Sequence, residues 1–155
     1  MAPVRLLRKP SEQNVRIVDI MTPNPRTVQP DDTLQSAARL MDDLNVGVLP
    51  VTEQDHLVGM LTDRDIVVRS TSAGQDPRTA TVADAMTGEV HTLPLDASIL
   101  DAIRMMKDHQ LRRVPVTDTA GKLAGILSLG DLADAETPEA GDALEVISTP
   151  AEPDR

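Results

Sequence analysis

At 155 residues the chain has the length of one ordinary domain, enough to bury about 70% of its unfolded surface, and its formal charge of −10 repels phosphate backbones, which disfavours nucleic acid as a partner. It has no cysteine, so disulfides, thiolate catalysis and cysteine-based metal sites drop out together. Phe, Trp and Tyr are absent as well: the core must be aliphatic, and a base-binding pocket would clamp its ligand between aliphatic side chains, without the aromatic platforms that single-stranded nucleic acid uses.

Residues 1–17 read as an N-terminal arm. Arg5, Arg8, Lys9 and Arg16 give its first 16 residues a net charge of +3, and its apolar stretch is too short for a signal peptide. No apolar run approaches the ~18 residues of a membrane span, so the expectation is a cytoplasmic protein with no membrane partner.

The first repeat covers residues 18–70. A short extended piece at Arg26-Thr27-Val28 meets Pro30, and Asp31-Asp32-Thr33 supplies N-cap chemistry for a helix. Leu34, Ala37, Ala38, Met41 and Leu44 then recur at helical spacing to about Asn45, where Gly47 is the expected terminator. Val48-Leu49-Pro50-Val51 and Leu57 to Leu61 read as strands around a polar turn, and Pro50 suggests an edge or strand-end position because it cannot donate to a ladder. Thr62-Asp63 caps a second helix to about Ser70. A connector, 71–81, leads into a second repeat, 82–135.

That second repeat says the same thing again. At an offset of 65, Met21-Thr22 falls on Met86-Thr87, Asp31 on Asp96 and Leu49-Pro50-Val51-Thr52 on Val114-Pro115-Val116-Thr117; after a one-residue slip Gly59, Thr62 and Asp65 fall on Gly125, Ser128 and Asp131. Ser98 caps a helix through Gln110, strands follow at Arg113–Val116 and Leu123–Leu127, and a last helix runs from Leu129 to Asp134. Residues 136–155, with net charge −5 and several prolines, read as an acidic mobile tail. The pattern predicts an α/β (α+β) fold: two pseudo-twofold-related β-α-β-β-α repeats packed sheet to sheet, with a cleft for each repeat.

Gly59-Met60-Leu61-Thr62-Asp63-Arg64-Asp65 and Gly125-Ile126-Leu127-Ser128-Leu129-Gly130-Asp131 share one pattern at a strand-to-helix junction. It has two readings. A hydroxyl beside the free amides of a first helical turn is an anion seat, and an Asp three residues on can accept from a diol such as ribose. Equally, Thr62 and Ser128 are N-caps and Asp65 and Asp131 the acids of capping boxes. His56, His91 and His109 look isolated, without metal-ligand spacing, and Asp42-Asp43 reads as a solvated helix face. Met41, Met105 and Met106 read as core or subunit-contact positions. No Walker segment or GxGxxG is present.

Taken together, Asp19-Ile20-Met21-Thr22, Asp84-Ala85-Met86-Thr87, the two Pro-Val strands and both Gly-to-Asp segments resemble a CBS domain pair, the Bateman module, of the short standalone bacterial type, over residues 18 to 133. The resemblance implies a regulatory, non-catalytic module that binds adenosine ligands (AMP, ADP, ATP, NAD or S-adenosylmethionine), with Thr62 and Ser128 on phosphate and Asp65 and Asp131 on ribose. It also implies a basic residue two before the strand proline. Arg113 stands there in the second repeat, but Val48 in the first, where Arg64 is the nearest substitute, so the two clefts are expected to differ. A homodimer and an effector protein of unknown identity complete the expectation. Two rivals remain: a ligand-free interaction and dimerisation module, and a nucleotide hydrolase, for which only Asp63 and Asp65 offer carboxylates.

Overall fold

Each repeat opens with a helical turn that its sequence does not announce, α1 (Ile17–Ile20) and α4 (Val82–Ala85). The computed structural model describes residues 15–135, so most of the expected arm and the whole acidic tail lie outside the described residues. A four-residue helix is too short to show a periodicity. What starts it is a capping acid: Asp19 Oδ2 accepts from the Arg16 amide at 3.2 Å and Asp84 Oδ2 from the Thr81 amide at 2.8 Å.

Strand β1 (Thr22–Pro23) follows, then α2 (Leu34–Leu44), whose cap is Thr33, its Oγ1 accepting from the Ser36 amide at 3.1 Å. The helix buries Leu34, Ala37 and Met41. It ends on Asn45 in the left-handed region (φ 53°), with the Val46 amide bonded back to Met41 O, and not on Gly47. A Cβ on Gly47 would stand 3.2 Å from Asp63 Oδ2, so close approach accounts for that glycine.

β2 (Val48–Glu53) and β3 (His56–Thr62) turn through Gln54 and Asp55, both at positive φ, the signature of a tight primed hairpin. After β3 the expected long α-helix is instead one turn, α3 (Asp63–Asp65), that widens into a π-helical turn over Ile66–Thr71. The second repeat adds β4 (Leu93–Pro94), α5 (Ile99–His109), β5 (Arg113–Thr117), β6 (Leu123–Ser128) and a regular α6 (Leu129–Asp134). The one-residue slip lies in the hairpins: Thr52 pairs with Leu57, Thr117 with Leu123.

The second sheet has order β1-β6-β5-β4, with β4 parallel to β5 and the other pairs antiparallel. The first repeats this plan around β2-β3, with single bridges Val28–Val51 and Met60–Thr87 in place of the outer strands, so the expected strand at 26–28 contracts to Val28 alone. Pro50, expected at an edge or strand end, lies in β2 of the two-stranded β2-β3 sheet, while its counterpart Pro115 lies in β5, an inner strand. In the first repeat Pro50 O accepts from Val28 N and Thr52 N donates to Val28 O, so the ring nitrogen of Pro50 faces the same neighbour. The missing donor accords with a pairing on that side that amounts to a single bridge, leaving β2 at the edge of its two-stranded sheet.

The cores cross between repeats. Ile17, the last residue of the expected arm, is fully buried among Leu93, Ile103, Met106, Val116 and Leu127 of the second repeat. Ala80, Val82 and Ala85 are buried with Leu34, Leu49, Val51 and Leu61 of the first. Each repeat therefore lends its leading segment to the other. The hairpin tips also join, with Leu57 N bonded to Gly121 O and Leu123 N to Asp55 O.

Candidate functional site

The two hydroxyl-carboxylate pairs form complete capping boxes. Asp65 N donates to Thr62 Oγ1 at 3.0 Å while Thr62 N donates to Asp65 Oδ2 at 3.0 Å; in the second repeat the same bonds join Asp131 N to Ser128 Oγ (3.1 Å) and Ser128 N to Asp131 Oδ2 (2.8 Å). Strand ends hold these boxes in place, since Asp63 N bonds to Gly47 O and Leu129 N to Arg112 O. Each carboxylate thus spends Oδ2 on the cap and keeps Oδ1 for another partner. All four residues are half-buried.

In the β5-β6 ladder Arg113 is the direct partner of Ser128. Directly opposed residues share a sheet face with their Cβ atoms about 5 Å apart, so Arg113 and Ser128 stand on one face at the end of the sheet, with Asp131 in the first turn of α6 beside Ser128. The matching pair in the first repeat is Val48 with Thr62, which brings no charge. Arg64 does not fill that gap by any contact: it is exposed, and its recorded bond is from its amide to Asp63 Oδ1.

The leading segments complete each site from the opposite repeat, a contribution that sequence reasoning missed. Thr22 pairs with Ile126, two residues before Ser128, and Thr87 pairs with Met60, two before Thr62. Arg69 was missed as well. Its Nη1 donates to Ala85 O (3.1 Å) and Met86 O (2.9 Å), and its Nε lies 4.0 Å from Asp65 Oδ1. The i, i+4 spacing of Asp65 and Arg69 was the available signal.

Two cavities lie nearby. One of about 460 Å³ opens on the flank of the first repeat between α2 and the π-helical turn, lined by Met41, Asp42, Val46, Asp63, Ile66 and Val67 among others. A smaller one of about 180 Å³ lies between the repeats, against Leu57, Val58, Val90, Thr92 and Thr117. Neither is lined by Thr62, Arg64, Asp65, Arg113, Ser128 or Asp131.

The histidines are not all isolated. His91 and His109 stack with ring centroids 3.7 Å apart and planes 19° from parallel. Imidazole lone pairs lie in the ring plane, so two planes stacked this far apart cannot both point their lone pairs at one ion. Among the described residues no group of three or more His, Asp or Glu is arranged to hold a metal.

A family model described as the CBS domain matches residues 17–71 and again 82–137. The chain is 45% identical over 134 residues to the CBS domain-containing protein YhcV of Bacillus subtilis, covering 85% of this chain and 94% of that one. Among solved structures it resembles Hypoxic Response Protein I of Mycobacterium tuberculosis, which holds two coordinated zinc ions (38% identity, 77% of this chain and 98% of that one, TM-score 0.71). It also resembles CBSX2 of Arabidopsis thaliana in complex with AMP (31% identity, 77% and 94%, TM-score 0.68).

Proposed function

Because the chain belongs to the CBS-domain family as a pair of repeats, we propose that it is a non-catalytic cytoplasmic module that binds an adenosine nucleotide and passes that event to a partner protein. The observation that carries this reading is the alignment of Arg113 across from Ser128 with Asp131 one turn on. That set matches a phosphorylated ribose: a guanidinium and a hydroxyl for phosphate, and a carboxylate Oδ1 for the diol. The AMP complex of CBSX2 supports the ligand class. The second site is the stronger of the two, since Val48 stands where the first would need a cation. Signalling is linkage: a ligand that prefers one arrangement of the repeats shifts the population by its differential affinity.

Titration calorimetry with AMP and adenosine tests this. Arg113→Ala should weaken AMP much more than adenosine, and equal AMP binding by Arg113→Ala and wild type would remove this arginine as a phosphate contact. Since the chain lacks Trp and Tyr, absorbance of the purified protein at 260 nm reports retained nucleotide with little background. A second reading, an interaction module with vacant clefts, is favoured by two observations. Thr62 with Asp65 and Ser128 with Asp131 bond each other in full capping boxes, which gives these residues a structural role, and Val67 and Val68 are 59% and 51% exposed on the helix face. Indifference of the melting temperature to AMP, ADP, ATP, NAD and S-adenosylmethionine alike would favour it, since a ligand at 100 times its Kd adds about 2.7 kcal/mol.

A further inference from the structure

The carboxylate of the first cleft is tied to the opposite repeat by an arginine that no motif picks out. Arg69 sits in the π-helical turn one turn beyond Asp65; its Nη1 donates to two acceptors, Ala85 O and Met86 O, and its Nε makes a longer ion pair with Asp65 Oδ1 at 4.0 Å. The two carbonyls lie at the C-terminal end of α4, where a cation is favoured because the last carbonyls of a helix have no intrahelical donor. They belong to the segment that runs on into Thr87, which exchanges both backbone hydrogen bonds with Met60 at 3.0 and 2.9 Å. One side chain therefore spans from the candidate ribose contact of the first repeat to the leading segment of the second.

Among the described residues the second repeat shows no such link. Ala135 occupies the place of Arg69, and the helix there is regular and without a π turn. Among the described residues the wide turn and the arginine occur together, in the first repeat.

We infer that Arg69 is a positioning residue that couples occupancy of the first cleft to the seating of α4, so that the first cleft transmits ligand binding and the second only holds ligand. This rests on Asp65 serving as a ribose contact, as proposed above. Oδ2 of Asp65 is committed to the Thr62 amide, so a diol must use Oδ1, the oxygen that Arg69 faces. A ribose that donates to Oδ1 fixes the carboxylate, the fixed carboxylate orders the guanidinium, and the guanidinium holds the end of α4. By reciprocity, loosening α4 weakens the ligand by the same factor.

The test uses the full chain carrying Asp131→Asn, so that AMP reports on the first cleft, with calorimetry and amide hydrogen exchange side by side. AMP should slow exchange over residues 82–87. Adding Arg69→Met should weaken AMP about three- to tenfold and abolish that slowing. Adding Arg69→Lys, whose single ammonium cannot span two carbonyls and a carboxylate, should restore the melting temperature without restoring the exchange response. If Asp65→Asn binds AMP as tightly as its parent, the ribose reading itself falls. If Asp65→Asn weakens AMP while Arg69→Met keeps affinity and exchange response, the ribose reading stands and the coupling is overturned. AMP binding that leaves exchange at 82–87 unchanged, or an Arg69→Met variant that loses melting temperature alone, overturns it equally.

Discussion

Gly59 and Gly125 lie hard against the leading segment of the opposite repeat. A Cβ on Gly59 would stand 2.8 Å from Thr87 O and 2.9 Å from Met86 Sδ, and one on Gly125 2.8 Å from Thr22 O and 2.6 Å from Met21 Sδ. The Asp-x-Met-Thr segments are explained by the same contacts: the Asp caps a short helix, the Met packs over the opposite glycine, and the Thr pairs beside it. Gly59→Ala or Gly125→Ala should therefore cost about 1–3 kcal/mol in urea unfolding by pushing the two repeats apart. An unchanged midpoint would show that the leading strand yields freely. Ser128 serves two masters. Ser128→Ala should lose about 0.5–2 kcal/mol from the cap whether or not nucleotide is present, so its role toward phosphate is read from the ratio of AMP to adenosine affinity.

Helix α5 shows how its ends are set. Its N-terminal acid, Asp101, is held below the usual carboxylate range, first by the Ser98 amide and then by the Ser98 hydroxyl. A depressed folded value means stability that is present at neutral pH and lost as pH falls below the ordinary carboxylate value and through the folded one. Asp101→Asn should accordingly lower the melting temperature at pH 7, with the difference from wild type shrinking toward pH 2 in thermal scans. At the other end Gln110 holds φ 53°, a left-handed conformation that costs a non-glycine residue about 1 kcal/mol. Gln110→Gly should recover up to about that amount in thermal or urea unfolding. The main helices and hairpins were legible because their apolar spacing and cap residues span ten residues or so. The lead helices were not, since four residues have no period, and neither was the π turn, because Ile66-Val67-Val68 suits either winding and tertiary contact decides. In the site, Arg113 was singled out by the family resemblance, and the capping boxes followed from pattern. Arg69 and the leading strands did not, because their partners lie in the opposite repeat.

At the scale of the whole molecule, neither repeat has a complete core by itself. Residues 82–135 alone lack Ile17 and β1, and residues 18–70 alone lack Val82 and Ala85. Either repeat expressed singly should show no cooperative melting transition by circular dichroism, and a cooperative transition would show the exchange of segments to be dispensable. The helix faces leave Leu44, Val67, Val68 and Leu100 exposed, so the intact chain is expected to sediment as a homodimer; a mass near 16.7 kDa across micromolar concentrations would refute this. The exchange also orders events in time. Thr22 must wait for Ile126 and Met60 for Thr87, so during synthesis the first repeat can finish only once the connector and α4 have left the ribosome, and the N-terminal strand is the last to find its place. At ~5–20 residues per second that wait lasts on the order of 5–20 s, during which the β6 edge does not yet exist and Ile17 stays in water. A chain stalled before β6 emerges leaves Ile17 and β1 without their partners, and protease should cut in that segment first.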